Sequence, residues 1–514
     1  MRAVRGDLEW GSIPGLVASA VERFGDREAI VDGDTRLTFA QLADLGGQAA
    51  DALVASGVAK GDRVAIWAPN IHEWVAALIG IHTAGAVLVP VNTRFKGAEA
   101  AHVLETSGAR LLFTVQGFLE ADYVGMLRAE GVDVHTVILR GEVPEGTTSW
   151  DEFLGRAGDA QGERPDLRPD DLSDILFTSG TTGKPKGVMS THGQTLRAFA
   201  DWSDVVGLRE RDRYLIVNPF FHAFGYKAGI LACLMRGATM VPHAVFDPAT
   251  VLTRIPEERI SMLPGPPALY QAILNDPKLA TADIASLRLA VTGAAVIPVE
   301  LIHRMQKELG FETVVTGYGL TECTGVATMC RHDDDPETIA TTSGRAIPDV
   351  EVKRADDGEI LVRGYNVMQG YLDAPEQTAE AIDSEGWLHT GDIGEIDGRG
   401  YIRITDRKKD MYIVGGFNAY PAEIENLMLS HDGIAQVAVV GVPDERMGEV
   451  GVAFVVPRIG HTVDPDALVA WCRDRMANYK VPRRVEVVEA LPLNASGKVL
   501  KYQLRDAATT RSPS

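Results

Sequence analysis

From Pro14 to Phe24 the apolar residues recur at helical spacing, and Gly25 ends the run. Glu28 to Phe39 reads as two short strands around the turn Asp32-Gly33-Asp34. Thr38 then stands where a hydroxyl caps a helix running to Ser56, with Gly57 past its end. An apolar strand from Val64 to Trp67, a helix from His72 to Thr83 and a second strand from Ala86 to Val91 follow. Strands alternating with helices in this way predict a mostly parallel sheet covered on both faces.

Gly141 to Asp171 is rich in Gly, Pro and acidic residues and reads as a surface connection. Alternation then resumes. Ile175-Leu176-Phe177 closes a buried strand, and Tyr214 to Val217, Thr239 to Pro242 and Leu287 to Val291 are strand candidates. From Glu351 to Gly400 short strands punctuated by Asp356-Asp357-Gly358 and Asp397-Gly398 predict a small β-rich subdomain. Beyond Lys409 come a Gly-rich turn, a helix from Ala422 to Leu429, strands from Gln436 to Val440 and Gly451 to Val456, and a helix near Asp466 to Met476. The tail from Ala507 is small and polar, and disorder is expected there. The pattern predicts an α/β protein: a large N-terminal domain over 1–408, with parallel sheets covered by helices plus the β-rich subdomain, and a small α+β C-terminal domain over 409–514.

At 514 residues the chain is too long for one core, which agrees with two or more domains. A formal net charge of −21 argues against nucleic acid or an anionic membrane as main partner. Polyphosphate would have to be held by local cations and backbone donors. The first ten residues have no apolar core, so no secretory signal is visible. The most apolar window, Val75 to Val91, is broken by His82, Thr83 and Pro90 and is too short to span a bilayer. Cys233, Cys323, Cys330 and Cys472 form no CxxC pair, so neither zinc nor a disulfide framework is suggested, and a reduced, cytoplasmic compartment is expected.

Against that background one stretch carries chemistry: Thr178-Ser179-Gly180-Thr181-Thr182-Gly183-Lys184-Pro185-Lys186-Gly187. Three glycines let backbone N–H groups approach an anion, four hydroxyls add donors, and Lys184 and Lys186 add charge. That suits several phosphate oxygens at once, yet it is not the Walker A pattern, which needs Gly-Lys-Ser/Thr opening a helix. Further on, Tyr318-Gly319-Leu320-Thr321-Glu322 follows the apolar Val314-Val315. Tyr318 could cover a base, Thr321 could bond a phosphate, and Glu322 could bind Mg²⁺, a hard cation that wants oxygen ligands. Asp392, in Thr390-Gly391-Asp392, is either an Asx turn or an acceptor for two ribose hydroxyls. Asp406-Arg407-Lys408-Lys409-Asp410 looks like a solvated charge run but lies between the two predicted domains.

These motifs, in this order, resemble the adenylate-forming superfamily, which holds acyl-CoA synthetases, luciferases and carrier-protein adenylation domains; the likeness spans about Ile13 to Arg505. The resemblance implies an ATP-dependent acyl-CoA synthetase using ATP, Mg²⁺ and CoA. It places nucleotide contacts at the phosphate loop, at Gly293, Ala294 and Ala295, at Tyr318, Gly319 and Thr321, and at Asp392 and Arg407 for ribose. Ala294 departs from a frequent second glycine. Lys409 becomes the hinge of a mobile C-terminal domain, and Lys498, in Asn494-Ala495-Ser496-Gly497-Lys498, the adenylation lysine. Gly415, Gly416 and Phe417 become the CoA face, or else a tight turn before an acidic helix start. Catalytic roles fall to Lys498, Thr321, Glu322 and His222, with Glu322 as the metal ligand.

Phe220, His222 and Phe224 match the segment that gates and lines the acyl pocket in relatives. Lys227 either snorkels to water or meets a distant oxygen of the acyl group. Asn218 to Pro242 and Met411 to Pro421 resemble acyl-CoA synthetases of actinobacterial steroid ring degradation, which implies a propanoate side chain on a bicyclic dione; a medium-chain fatty acid is the other candidate. An adenylating enzyme that loads a carrier protein is the alternative function. Expected partners are a small carboxylic acid, ATP and CoA, without nucleic acid or membrane span; a homodimer is compatible with them.

Overall fold

The computed structural model describes residues 5–159, 164–178, 185–293, 297–408, 410–414, 417–444, 446–493 and 499–510. The chain forms an α/β protein of two compact units. The larger comprises 1–352, 362–388 and 398–402; the smaller comprises 353–361, 389–397 and 403–514.

The larger unit is built on an eight-stranded sheet. Its centre is parallel, as the continuous apolar runs predict: Arg63–Trp67 lies between Val87–Pro90 and Leu111–Val115, all buried apart from half-buried Arg63. Thr38 does cap the helix Phe39–Ala55, in a reciprocal box with Gln41. That helix packs on His72–Thr83, where Gly46 lets the two approach: a Cβ there would sit 2.4 Å from Ile79. On the other side of Val87–Pro90 the parallel order continues for one strand. Leu172–Thr178 joins it through Leu88 beside Asp174, then turns back antiparallel as Lys186–Thr191. Further strands, among them the parallel pairs Arg213–Ile216 with Thr239–Pro242 and Leu289–Gly293 with Thr313–Tyr318, build two four-stranded sheets linked through Met262.

The smaller unit holds a five-stranded sheet led by the long antiparallel pair Ile434–Asp444 and Gly448–Pro457. One face packs on the helices Pro421–Met428 and Pro465–Arg473, the other on the C-terminal helix Lys501–Thr510. No helix among the described residues is long and apolar enough to cross a membrane.

Two expectations are corrected. The connection 141–171 is not only surface, because the helix Trp150–Gly155 buries Trp150 and Phe153 against Phe113. The tail from Ala507 is not disordered over its first residues: the C-terminal helix continues to Thr510, with Ala508 fully buried.

Candidate active site

Thr178 and Lys186 face each other at the end of the antiparallel strand pair Leu172–Thr178 and Lys186–Thr191, a β-hairpin. Ser179, Gly180, Thr181, Thr182, Gly183 and Lys184 lie outside the described residues. At the hairpin's mouth the Lys186 ammonium sits 4.8 Å from the centre of the Tyr371 ring, a cation–π contact. The Tyr371 hydroxyl donates to Glu322 Oε1 at 3.0 Å. Burial first, then the Glu322 carboxylate, push this phenol far up, so it stays a donor. One tyrosine thus joins the hairpin to the proposed metal ligand.

Thr321 and Glu322 ride on a single 3₁₀ turn, Thr321–Cys323, directly after the strand Thr313–Tyr318. Several contacts hold that turn. Leu320 N donates to Cys323 Sγ, and Met368 N donates to the Glu322 carbonyl. Thr324 takes a left-handed φ of 59°, unusual for a β-branched residue, while its hydroxyl donates to the Asn366 carbonyl at 2.7 Å. Fully buried Asn366 in turn donates from Nδ2 to the Val326 carbonyl. Gly319 is required here because a Cβ would lie 2.4 Å from the Gly325 carbonyl oxygen.

Gly293 pairs with Gly317 at the C-terminal ends of two parallel strands, immediately before Tyr318. Carboxyl ends of strands are where open α/β sheets hold ligands. Ala294 and Ala295 lie outside the described residues.

Buried Asn70 shapes the segment proposed to bind the acyl group. Its Oδ1 accepts from Phe220 N at 2.8 Å, and its Nδ2 donates to the carbonyls of Ile216 and Asn218. His222 is exposed and caps the turn Ala223–Gly225, while half-buried Phe224 stands edge-on to Trp202. Two residues differ from expectation. Phe220 is fully buried with its ring against Trp74, so it belongs to the core. Lys227 neither snorkels nor faces an acyl group: its side chain is 1% exposed, and Nζ lies 2.9 Å from Asp174 Oδ1.

In the smaller unit Asp392 is nearly buried, and Arg407 Nε lies 3.0 Å from its Oδ1. The two residues expected at ribose are therefore neighbours, on the strands Leu388–Ile396 and Ile402–Arg407. Gly391 takes a left-handed φ of 71° and donates its N–H to Glu359 Oε1. Glu359 and Asp357 also bind the Lys408 ammonium. Lys409, Gly415, Gly416, the Phe417 side chain and Lys498 lie outside the described residues. Just past Lys498, Lys501 forms an ion pair with Glu425 at 2.7 Å.

Residues 17–372 match the model for the AMP-binding enzyme family, and residues 423–498 match that for the AMP-binding enzyme C-terminal domain. The chain belongs to this family. A relative from Rhodococcus jostii RHA1, 3-[(3aS,4S,7aS)-7a-methyl-1,5-dioxo-octahydro-1H-inden-4-yl]propanoyl:CoA ligase, is 52% identical over 506 residues, covering 96% of this chain and 98% of its own. A feruloyl-CoA synthase from an Amycolatopsis species is 40% identical over 494 residues, covering 93% and 95%. Among solved structures, an anthranilate CoA ligase in complex with anthranoyl-AMP superposes with a TM-score of 0.85 at 27% identity over 98% of each chain. This AMP-binding enzyme is an AMP-forming acyl-CoA ligase with ATP and CoA as substrates.

Tyr371, Asn366 and Asp174 escaped sequence reasoning. Tyr371 lies 49 positions from Glu322, and nothing local marks it except the Gly370-Tyr371 dipeptide. Strand pairing with Lys186–Thr191 is what brings it to the site.

Proposed function

We propose that this AMP-binding enzyme activates a bulky, keto-bearing propanoate of the bicyclic dione type in the cytoplasm, as part of steroid-derived lipid breakdown. The observation that carries this is the near-full-length 52% identity to the Rhodococcus jostii ligase for such a propanoate.

The reaction has two steps. A carboxylate is a poor acyl donor because its leaving group would be oxide. In the first step a carboxylate oxygen attacks the α-phosphorus of ATP, and pyrophosphate leaves. In the second step the CoA sulfur, having lost its proton, attacks the acyl carbonyl, and AMP leaves. In this proposal the hairpin from Thr178 to Lys186 holds the phosphates and Tyr318 covers adenine. Thr321 bonds a phosphate, while Asp392 and Arg407 orient ribose. Lys498 bridges the carboxylate and α-phosphate as charge builds there.

Glu322 fits a hard cation such as Mg²⁺: it is a carboxylate with one oxygen fixed by Tyr371, and a monodentate ligand uses the other. When bound, that ion would offset pyrophosphate charge. All four cysteines are buried, and burial pushes the Cys330 thiol up to about 12, the Cys472 thiol up to about 11 and the Cys233 thiol well above its ordinary range, which favours CoA over a protein thiol as acyl acceptor.

The test is pyrophosphate release across a panel containing the bicyclic propanoate, ferulate, anthranilate and octanoate, with CoA present and absent. The bicyclic acid is expected to give the highest kcat/KM, with thioester formed only when CoA is present. Equal or better turnover of octanoate would refute the substrate assignment.

A further inference from the structure

The Asp174–Lys227 contact is the most deeply buried ion pair among the described residues, with side chains 0% and 1% exposed. Lys227 Nζ also donates to Ser190 Oγ at 3.3 Å, and Asp174 Oδ2 accepts from Ser173 Oγ at 2.7 Å. Burial lowers the affinity of Lys227 for its proton, while Asp174 acts in the opposite direction. Such pairs seldom exist for stability. Desolvating both charges costs so much that a well-packed apolar pair is often neutral or better. What an internal ion pair does supply is a fixed geometry between the elements that carry it.

Those elements are informative. Asp174 lies on the strand Leu172–Thr178, four residues before the phosphate hairpin opens, and Ser190 faces it on the return strand. Lys227 lies in the π-helical stretch Tyr226–Leu231, which begins where the His222-capped turn Ala223–Gly225 ends. π-turns are rare and concentrate at functional sites. Tyr226 ties the same stretch to the helix His72–Thr83, its hydroxyl lying 3.1 Å from His82 Nε2.

We propose that Asp174 and Lys227 are a positioning pair for acyl-adenylate formation, holding the segment His222–Phe224 in fixed register with the strands Leu172–Thr178 and Lys186–Thr191 so that the substrate carboxylate meets the α-phosphate in line. This assignment rests on the proposed function. Neither residue touches substrate. Misplacement of reacting groups by about 1 Å costs on the order of a hundredfold in rate, so loss of the pair is read in kcat of the first step.

The decisive variant is the apolar double, Asp174→Leu/Lys227→Met, which removes both charges without stranding either. The polar double, Asp174→Asn/Lys227→Gln, accompanies it. Three readouts apply: the thermal midpoint, acid-dependent pyrophosphate release with kcat and KM separated, and thioester formation from supplied acyl-adenylate. A folded double variant is expected to keep its midpoint within about 5 °C. Its first-step kcat should fall at least about tenfold, with thioester formation from acyl-adenylate changed by less than about twofold, as a defect in positioning alone requires. Wild-type kcat in a folded double variant would overturn the proposal. Equal loss in both steps, or failure of both doubles to fold, would make the contact a general structural one and overturn it too. Wild-type protein that released no pyrophosphate with any acid would instead remove the functional assignment and this proposal with it.

Discussion

At the scale of single residues, Tyr371 matters through one oxygen. Its hydroxyl fixes Glu322 while its ring supports Lys186, so Tyr371→Phe separates the two roles. Pyrophosphate release by Tyr371→Phe should slow by roughly tenfold with a higher KM for ATP, because one hydrogen bond to a charged group is worth about 1.5–3 kcal/mol. Unchanged kinetics would show that Glu322 does not need the hydroxyl. Gly319→Ala is a packing test of the same turn. Its Cβ would enter the 2.4 Å gap to the Gly325 carbonyl, so backbone must move. A loss of about 1–3 kcal/mol in denaturant unfolding is expected, together with a drop in activity. The glycine is visible in the sequence, but the turn at Gly325 that folds back over it and forbids a side chain is not.

At the scale of elements, apolar periodicity was readable wherever packing acted within one segment. The helix His72–Thr83 and the strand Thr239–Pro242 stand where their patterns place them. Periodicity failed where small residues hide a buried face. The C-terminal helix is mostly polar, yet Leu504 and Ala508 pack with Val440, Val452 and Phe454, and the Ala508 carbonyl accepts from Arg484 at 2.7 Å. Truncation before Ala507 should therefore cost about 2–4 kcal/mol in the smaller unit, followed by denaturant unfolding. A change below about 0.5 kcal/mol, the size of a surface effect, would mean that the last turn contributes nothing. Lys227 failed for a related reason. A lysine in an apolar stretch reads as exposed at one end, and only the partner strand reveals Asp174 inside.

At the scale of the molecule the two units should answer acid differently. In the larger, burial holds His192 and His243 at about 4 and drives His82 well below its ordinary value. Their stabilising effect is present above the unfolded value and is lost as pH falls, because the unfolded chain takes up protons that the fold refuses. Burial also lifts Asp201 to about 6, which acts the other way but is one group against three. In the smaller unit burial lifts Asp406 to about 6, so protonation relieves it as pH falls through that value. Between pH 7 and 5 the larger unit should lose a few kcal/mol while the smaller holds or gains about 1 kcal/mol. Calorimetry at the two pH values reads this directly, and parallel shifts of both transitions would contradict it. Movement between the half-reactions is tested by Lys409→Pro, expected to slow thioester formation far more than adenylation; equal slowing would count against a hinge there.

Sequence by itself determined the α/β class, the order of the motifs and the family whose pattern they match. These depend on local periodicity, on glycine and on hydroxyl and lysine spacing, all properties of neighbours along the chain. Tertiary structure alone decided that Tyr371 reaches Glu322, that Asn366 holds the turn of Thr321, and that Lys227 meets Asp174 rather than water. Each joins positions tens of residues apart, and the spacing that makes such contacts is set by strand pairing and packing, which no local pattern encodes.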